Sequence, residues 1–367
     1  YKFFWDDVKV FVLDSFNHAL ISGTLSIEQR RGVITLVPKK GKDVRYLKNW
    51  RPISLLNTDY KILTKVLANR LQKTLKNIIS SDQTGYIKGR NIGENIRVID
   101  DIIQHTTKVN MKGFIVLLDF EKAFDTLNIQ FLHKALETFN FGQTFRKWIQ
   151  VLYTDVSSCV TNNGFSSEFF SVRRGIRQGC PISAMLFIIV AELLSAYIKN
   201  CDDIKGLAID KHIYTITQLA DDTTVFLQDE ISVKNLLYVM DSFHESSGLR
   251  LNKQKSEIFM LGGCGQSSNI PKQLNGIKCS VEAFKALGVY FSKNPDETFE
   301  LNFVNRLTKC KIALNIWSQR GLSLKGKIVV LKSIIIPNLL YSANYLYTPD
   351  TFIRDVDELL FKFLWNG

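Results

Sequence analysis

Apolar residues recur at two different periods along this chain, and the switches between them mark its elements. From 60 to 79, Ile62, Leu63, Val66, Leu67, Leu71 and Leu75 stand at helical spacing among lysines and arginines, which predicts a basic amphipathic helix. The run 32–38 reads as a strand stopped by Pro38. Positions 113–118 are wholly apolar after Gly113, the pattern of a strand buried on both faces, and the run ends abruptly at Asp119. Leu132, Ala135, Leu136 and Phe139 mark a helix, and 182–199 marks another, with Pro181 where a helix can begin. The β-prone runs 213–219 and 224–227 flank Ala220-Asp221-Asp222 and predict a strand–turn–strand hairpin. Ser232 is the expected cap of a helix bearing Val233, Leu236, Leu237, Met240 and Phe243 and stopped by Gly248. A short strand is expected at 249–252, a flexible linker at 262–268, and mainly helix over the last seventy or so residues. This order is mixed rather than alternating βαβα, which predicts an α+β class.

Composition narrows the field. The 367 residues are 46% hydrophobic and 22% charged, ordinary globular proportions that exclude wholesale disorder and fibrous repeats. No apolar run reaches the roughly 18 residues of a membrane span; the nearest, 185–198, is broken by Glu192 and reads as a buried helix. The chain starts at Tyr1 rather than Met with no signal-peptide pattern after it, as expected of a piece of a longer chain. Its six cysteines form no CxxC pair and no histidines cluster near them, so a zinc site is not expected and a reducing compartment is.

The net charge is +12, and its distribution matters more than its size. From 301 to 349 there is no Asp or Glu, yet Arg306, Lys309, Lys311, Arg320, Lys325, Lys327 and Lys332 fall there. A second tract holds Lys39, Lys40, Lys42, Arg45, Lys48 and Arg51 against Asp43 alone. Two separated basic tracts suit a long polyanion, which makes nucleic acid the leading partner.

Asp-Asp pairs occur four times and are ordinarily solvated turns, but apolar residues hold Asp221-Asp222 on both sides. Two carboxylates about 5 Å apart repel by about 3 kcal/mol at an effective dielectric near 20 and by under about 1 kcal/mol in water. Within a packed sheet, either a cation relieves that repulsion or one carboxyl stays protonated. Asp119 at the end of an apolar strand is a third misplaced carboxylate. Should the three converge, they form a hard-oxygen site suited to Mg²⁺, and a pair of such ions activates an attacking hydroxyl and stabilises a leaving pyrophosphate.

Here a family resemblance enters. Asp119-Phe120-Glu121-Lys122-Ala123-Phe124-Asp125, Arg177-Gln178-Gly179-Cys180-Pro181 and Leu219-Ala220-Asp221-Asp222 resemble motifs A, B and C of a reverse transcriptase. Trp50-Arg51-Pro52-Ile53-Ser54-Leu55-Leu56-Asn57 and Asp82-Gln83-Thr84-Gly85-Tyr86 resemble the fingers motifs of LINE-type (non-LTR) retrotransposon enzymes. Gly248-Leu249-Arg250-Leu251-Asn252-Lys253-Gln254-Lys255-Ser256 resembles motif D, and Leu287-Gly288-Val289 resembles the primer grip. Leu324-Lys325-Gly326-Lys327 and Phe363-Leu364-Trp365-Asn366 resemble the thumb.

That resemblance implies a right-hand polymerase with fingers, an antiparallel-sheet palm and a helical thumb. It places the N-terminal extension and fingers at 1–112, the palm at 113–297 with a fingers segment of about 127–178 inserted, and the thumb at 298–367. Asp119, Asp221 and Asp222 would hold two Mg²⁺ ions, with Mn²⁺ as a substitute. Lys255 would meet the leaving pyrophosphate, Arg51 and Lys39 the triphosphate, and Gln178 and Gly179 the nucleotide. Phe124 would be the steric gate against a ribose 2′-OH. Arg306, Lys309, Lys325 and Lys327 would grip the template–primer through its phosphates. The implied partners are RNA template, DNA primer or target and dNTPs, with no membrane; the implied location is a cytoplasmic ribonucleoprotein and the nucleus. Leu219 stands where many reverse transcriptases carry Tyr or Phe, and Ala184 replaces a proline usual in LINE-type motif B. Two rivals share part of the pattern: another palm polymerase, against which Phe124 argues, and a decayed element retained as a nucleic-acid-binding module.

Overall fold

The computed structural model describes residues 1–265 and 272–366. They divide into two compact units, each assembled from separated stretches of chain. The first comprises Tyr1–Arg90, Asp119–Ile204 and Lys234–Asn252; the second comprises Asn91–Leu118, Lys205–Val233 and Lys253–Gly367.

In the first unit, strand Arg31–Pro38 pairs antiparallel with Trp50–Leu56 and parallel with Ser157–Asn162, so Pro38 falls at a strand end where no ladder bond is lost. The short strands Phe165–Ser166 and Phe170–Ser171 complete this sheet. The predicted amphipathic helix is Thr58–Ile78, which buries Leu63, Leu67, Leu71 and Leu75 and leaves Val66 exposed. Helix Ser183–Lys199 buries eleven residues, so its continuous apolarity reflects a position surrounded by protein. Its Glu192 accepts a hydrogen bond from Ser80 Oγ at 3.1 Å, which compensates the burial of a carboxyl group.

The second unit is built on a six-stranded sheet in the order Gln273–Leu274, Ile277–Ser280, Glu257–Leu261, Gly113–Leu118, Asp222–Leu227, Ile216–Leu219. Gly113–Leu118 is central, as its two-sided apolarity requires. The ladder is antiparallel except for Glu257–Leu261 against Ile277–Ser280. Helix Ile92–Lys108 packs Ile96, Ile99 and Ile103 into one core with Ile115, Phe226 and Phe259, and the C-terminal helices add Phe303, Leu331 and Leu339. The C-terminal stretch is helical as expected, including Asn305–Ser318, Leu324–Val330, Ile336–Ala343 and Asp350–Asn366.

Several local expectations change. Leu249–Asn252 forms no strand: Leu251 makes one isolated bridge to Phe120, with Glu121 N donating to Arg250 O and Asn252 N to Asp119 O. Helix Glu230–Ser247 starts one turn earlier than Ser232 predicts, because Asp229 Oδ1 accepts from Ser232 N at 2.8 Å. Ser232 Oγ accepts instead from Lys205 N. The run 213–219 is interrupted into His212–Tyr214 and Ile216–Leu219. Gly262–Gly265 is a 3₁₀ turn, while 266–268 of the expected linker lie outside the described residues. Leu324–Ala343, with a mean hydropathy of 1.3, meets the length and composition of a membrane span, contrary to the expectation that no run does. Scattered lysines hid it from a search for uninterrupted apolar residues, and its Val330, Leu331, Ile335 and Leu339 belong to the core above.

Candidate nucleotide and nucleic-acid site

The functional side chains fall into a group on each unit. In the first, a tight turn after residue 172 delivers motif B to the segment carrying Phe124 and Asp125. Gly175 N donates to Leu127 O and Ile176 N to Phe124 O, at 2.8 and 2.7 Å. Gln178 Nε2 then donates to Asp125 Oδ1 at 2.9 Å. Burial pushes the Asp125 carboxyl above its ordinary value, against the opposing pull of the Gln178 hydrogen bond and the Lys122 charge. The Phe124 ring stacks on Phe187 with centroids 4.6 Å apart, which fixes its plane.

Gly179 has φ +80°, and a Cβ there would lie 2.9 Å from Ser54 O, so only glycine lets motif B approach strand Trp50–Leu56 this closely. Arg51 is exposed on that strand, opposite Val37. Lys39 Nζ donates to Lys48 O at 2.7 Å and so ties its own loop together.

Two contributors here lie inside motifs A and B, but the resemblance implies no role for them. Asp125 sits inside motif A, but its hold on Gln178 spans 53 positions. Arg177 is only 6% exposed, lies 4.8 Å from the Tyr60 ring centre, and its Nη1 and Nη2 have no hydrogen-bond partner among the described residues. A cavity of about 210 Å³ is lined by Ser54, Asp125, Ser158, Arg177 and Gln178 among others. A buried cation over an aromatic face is tolerated, and its two terminal nitrogens keep donor capacity for an acceptor in the cavity.

The second unit carries the acidic hairpin. Leu219 pairs with Asp222, so Ala220-Asp221 is a two-residue turn, with Ala220 at φ +57°. Asn95, buried on the neighbouring helix, donates to Thr217 Oγ1 at 2.7 Å and Gln218 O at 2.9 Å, pinning the first hairpin strand. In the central ladder Leu118 stands opposite Thr223; Asp119 and Asp222 are the next residues along those chains. Asp222 is exposed and Asp221 half-buried. Among the described residues, no three His, Cys, Asp or Glu side chains gather closely enough to hold a metal ion. Carboxylates are nonetheless the right donors for Mg²⁺, which usually takes one or two of them and completes its shell with water and substrate phosphate.

Lys255 is exposed just ahead of strand Glu257–Leu261. Lys309 and Lys325 are exposed on the C-terminal helices, whereas Lys327 Nζ donates to Leu364 O at 3.3 Å and lies 5.7 Å from the Phe363 ring. Arg306, expected on the template–primer, donates from its guanidinium to Gly288 O at 2.8 Å and Asn338 O at 3.2 Å.

The second unit carries an acidic hairpin beside a central strand and the first carries the glycine-bearing motif B turn, in a mixed helix-and-sheet structure consistent with an α+β polymerase fold. Residues 37–291 match the family described as reverse transcriptase (RNA-dependent DNA polymerase), and the chain belongs to that family. Nucleic-acid binding and use of divalent metal ions are general to it.

The relatives are retrotransposon proteins. The chain is 30% identical over its full length to a "Transposon TX1 uncharacterized 149 kDa protein" of Xenopus laevis, covering 28% of that protein. Against the Pol polyprotein of the R2 element of Popillia japonica, identity is 24% over 89% of this chain and 46% of that protein. Against the RNA-directed DNA polymerase of the mobile element jockey of Drosophila melanogaster, it is 22% over 92% and 37%. The chain therefore spans less than half the length of these relatives. Among solved structures, telomerase of Candida tropicalis in complex with a TWJ fragment of telomeric RNA matches with a TM-score of 0.55 at 12% identity, over 98% of this chain and 57% of that one. An apo form truncated from the C-terminal domain matches at 0.51 and 11% identity, over 73% and 54%. This likeness shows the fold.

Proposed function

We propose that this chain is the polymerase core of a LINE-type retrotransposon protein and extends a DNA 3′-OH primer on an RNA template. The observation that carries this reading is the ladder register Leu118–Thr223 with Leu219–Asp222, which sets the two hairpin carboxylates beside the strand that runs into Asp119. In this reading the fingers lie within 1–112 and about 127–178, the palm within 113–297 and the thumb within 298–367.

Asp119, Asp221 and Asp222 hold two Mg²⁺ ions, which supply activation of the primer hydroxyl and charge stabilisation of the departing pyrophosphate. Gln178, oriented by Asp125, and Gly179 border the incoming dNTP. Phe124, braced by Phe187, fills the space a ribose 2′-OH needs. Arg51 and Lys39 bind the triphosphate, and Arg177, whose terminal nitrogens have no hydrogen-bond partner among the described residues, donates to phosphate in the adjoining cavity. Lys255 neutralises or protonates the pyrophosphate. Lys309, Lys325 and Lys327 hold the template–primer backbone, a contact that weakens with salt. The retrotransposon relatives support reverse transcription of an element's RNA; we propose further that the copying is target-primed and that the protein resides in a cytoplasmic ribonucleoprotein and the nucleus.

The test is primer extension on an RNA template with Mg²⁺ and dNTPs, the parent beside Asp221→Asn. The parent extends, and the variant loses at least about a hundredfold, because one metal carboxylate supplies several kcal/mol of transition-state stabilisation. Equal rates would remove Asp221 from the chemistry.

A further inference from the structure

The turn between strands Ala283–Ala286 and Val289–Ser292 consists of Leu287 and Gly288, both left-handed, at φ +50° and +76°. A leucine is strained in that region relative to the right-handed one, so something must hold it there. Both carbonyls of the turn are taken by side chains of the C-terminal helices. Tyr341 Oη donates to Leu287 O at 2.5 Å, and Arg306 Nη2 donates to Gly288 O at 2.8 Å.

The two holding side chains are themselves coupled. The Arg306 guanidinium lies 5.4 Å from the Tyr341 ring centre, and its other arm reaches Asn338 O on the helix that carries Tyr341. A Cβ on Gly288 would lie 3.3 Å from the Tyr341 ring, so the ring sits flush against the turn. Burial and then Tyr345 push the Tyr341 phenol above its ordinary value, and Arg306 pulls it back.

We infer that Tyr341 and Arg306 form a latch through which the C-terminal helices set the position of the 287–288 turn. On the polymerase reading, on which this part rests, that turn supports the primer end, and the two side chains are positioning residues for its 3′-OH. A basic residue in this tract would otherwise be assigned to phosphate. The carbonyls that occupy Arg306 argue for the internal role.

Two readouts separate the latch from the activity. The first is amide exchange at 287–290 in the protein without nucleic acid. Tyr341→Phe, which keeps the ring and removes the donor, speeds exchange there while the rest of the sheet keeps its protection. Unchanged exchange overturns the latch, whether or not the parent extends primers. The second is single-turnover extension at saturating primer–template and dNTP. Tyr341→Phe slows it about tenfold, the loss of one hydrogen bond expressed in the reactive geometry, with Kd for the duplex and KM for dNTP within twofold of the parent. Arg306→Leu behaves alike, and Arg306→Lys restores part of the rate. If the Arg306 variants instead weaken duplex binding and flatten its salt dependence at unchanged saturating rate, Arg306 is a phosphate contact and the inference fails. A parent that extends no primer refutes the polymerase reading, and the exchange experiment still decides the latch.

Discussion

Gly175 and Gly164 have the same backbone angle, φ +83°, and opposite surroundings. At Gly164, in the hairpin between Ser157–Asn162 and Phe165–Ser166, an added Cβ meets nothing within 4 Å. At Gly175 it would lie 2.5 Å from Asp125 O, 2.7 Å from Asp125 C and 2.8 Å from Asp125 Cα, all backbone atoms that cannot swing aside. Gly164→Ala therefore costs only the left-handed penalty, about 1–2 kcal/mol. Gly175→Ala adds an overpacking cost of about 1–3 kcal/mol, for a total of about 2–5 kcal/mol.

Relief requires the turn to move about 1 Å outward to reach ordinary contact distance. That movement strains the Gly175–Leu127 and Ile176–Phe124 backbone hydrogen bonds and draws Gln178 away from Asp125. Thermal unfolding of both variants, with dNTP KM measured beside it, tests this reasoning. The expected result is a larger fall in Tm for Gly175→Ala and a raised KM in that variant alone. Equal destabilisation of the two variants would show that the close approach to Asp125 is unimportant.

Two further outcomes follow from single side chains. Phe124→Ala raises ribonucleotide incorporation, read as the dNTP/NTP ratio in primer extension, and an unchanged ratio removes the gate; because its ring stacks on Phe187, the variant also loses thermal stability. Burial, then the neighbouring Asp101 charge, raises the Asp100 carboxyl from 3.8 to about 6, against a hydrogen bond from Gln104. A folded pKa above the unfolded one makes this group favour the folded state at low pH and lose that contribution as pH rises from about 4 through about 6. Asp100→Asn therefore stabilises the protein at pH 7 by about 1–2 kcal/mol after allowance for solvent screening, with the gain vanishing below about pH 4. A gain that is the same at both pH values would contradict the burial of this carboxylate.

Local periodicity and local chemistry are readable along the chain before it folds. The Thr58–Ile78 and Ser183–Lys199 helices, the central strand and the acidic hairpin were all legible, because each element's burial pattern is written in its own residues. The motifs that place the chain among reverse transcriptases are likewise contiguous strings. Tertiary structure alone decided which long-range partner each polar group takes. Asp125 holds Gln178, Asn95 pins Thr217, and Arg306 donates to Gly288 O. The same holds for Leu249–Asn252, where one bridge to Phe120 replaces the expected strand, and for Leu324–Ala343, of which Val330, Leu331, Ile335 and Leu339 enter a core. A hydrogen bond or a buried face depends on what stands opposite, and the chain specifies that only once it has folded.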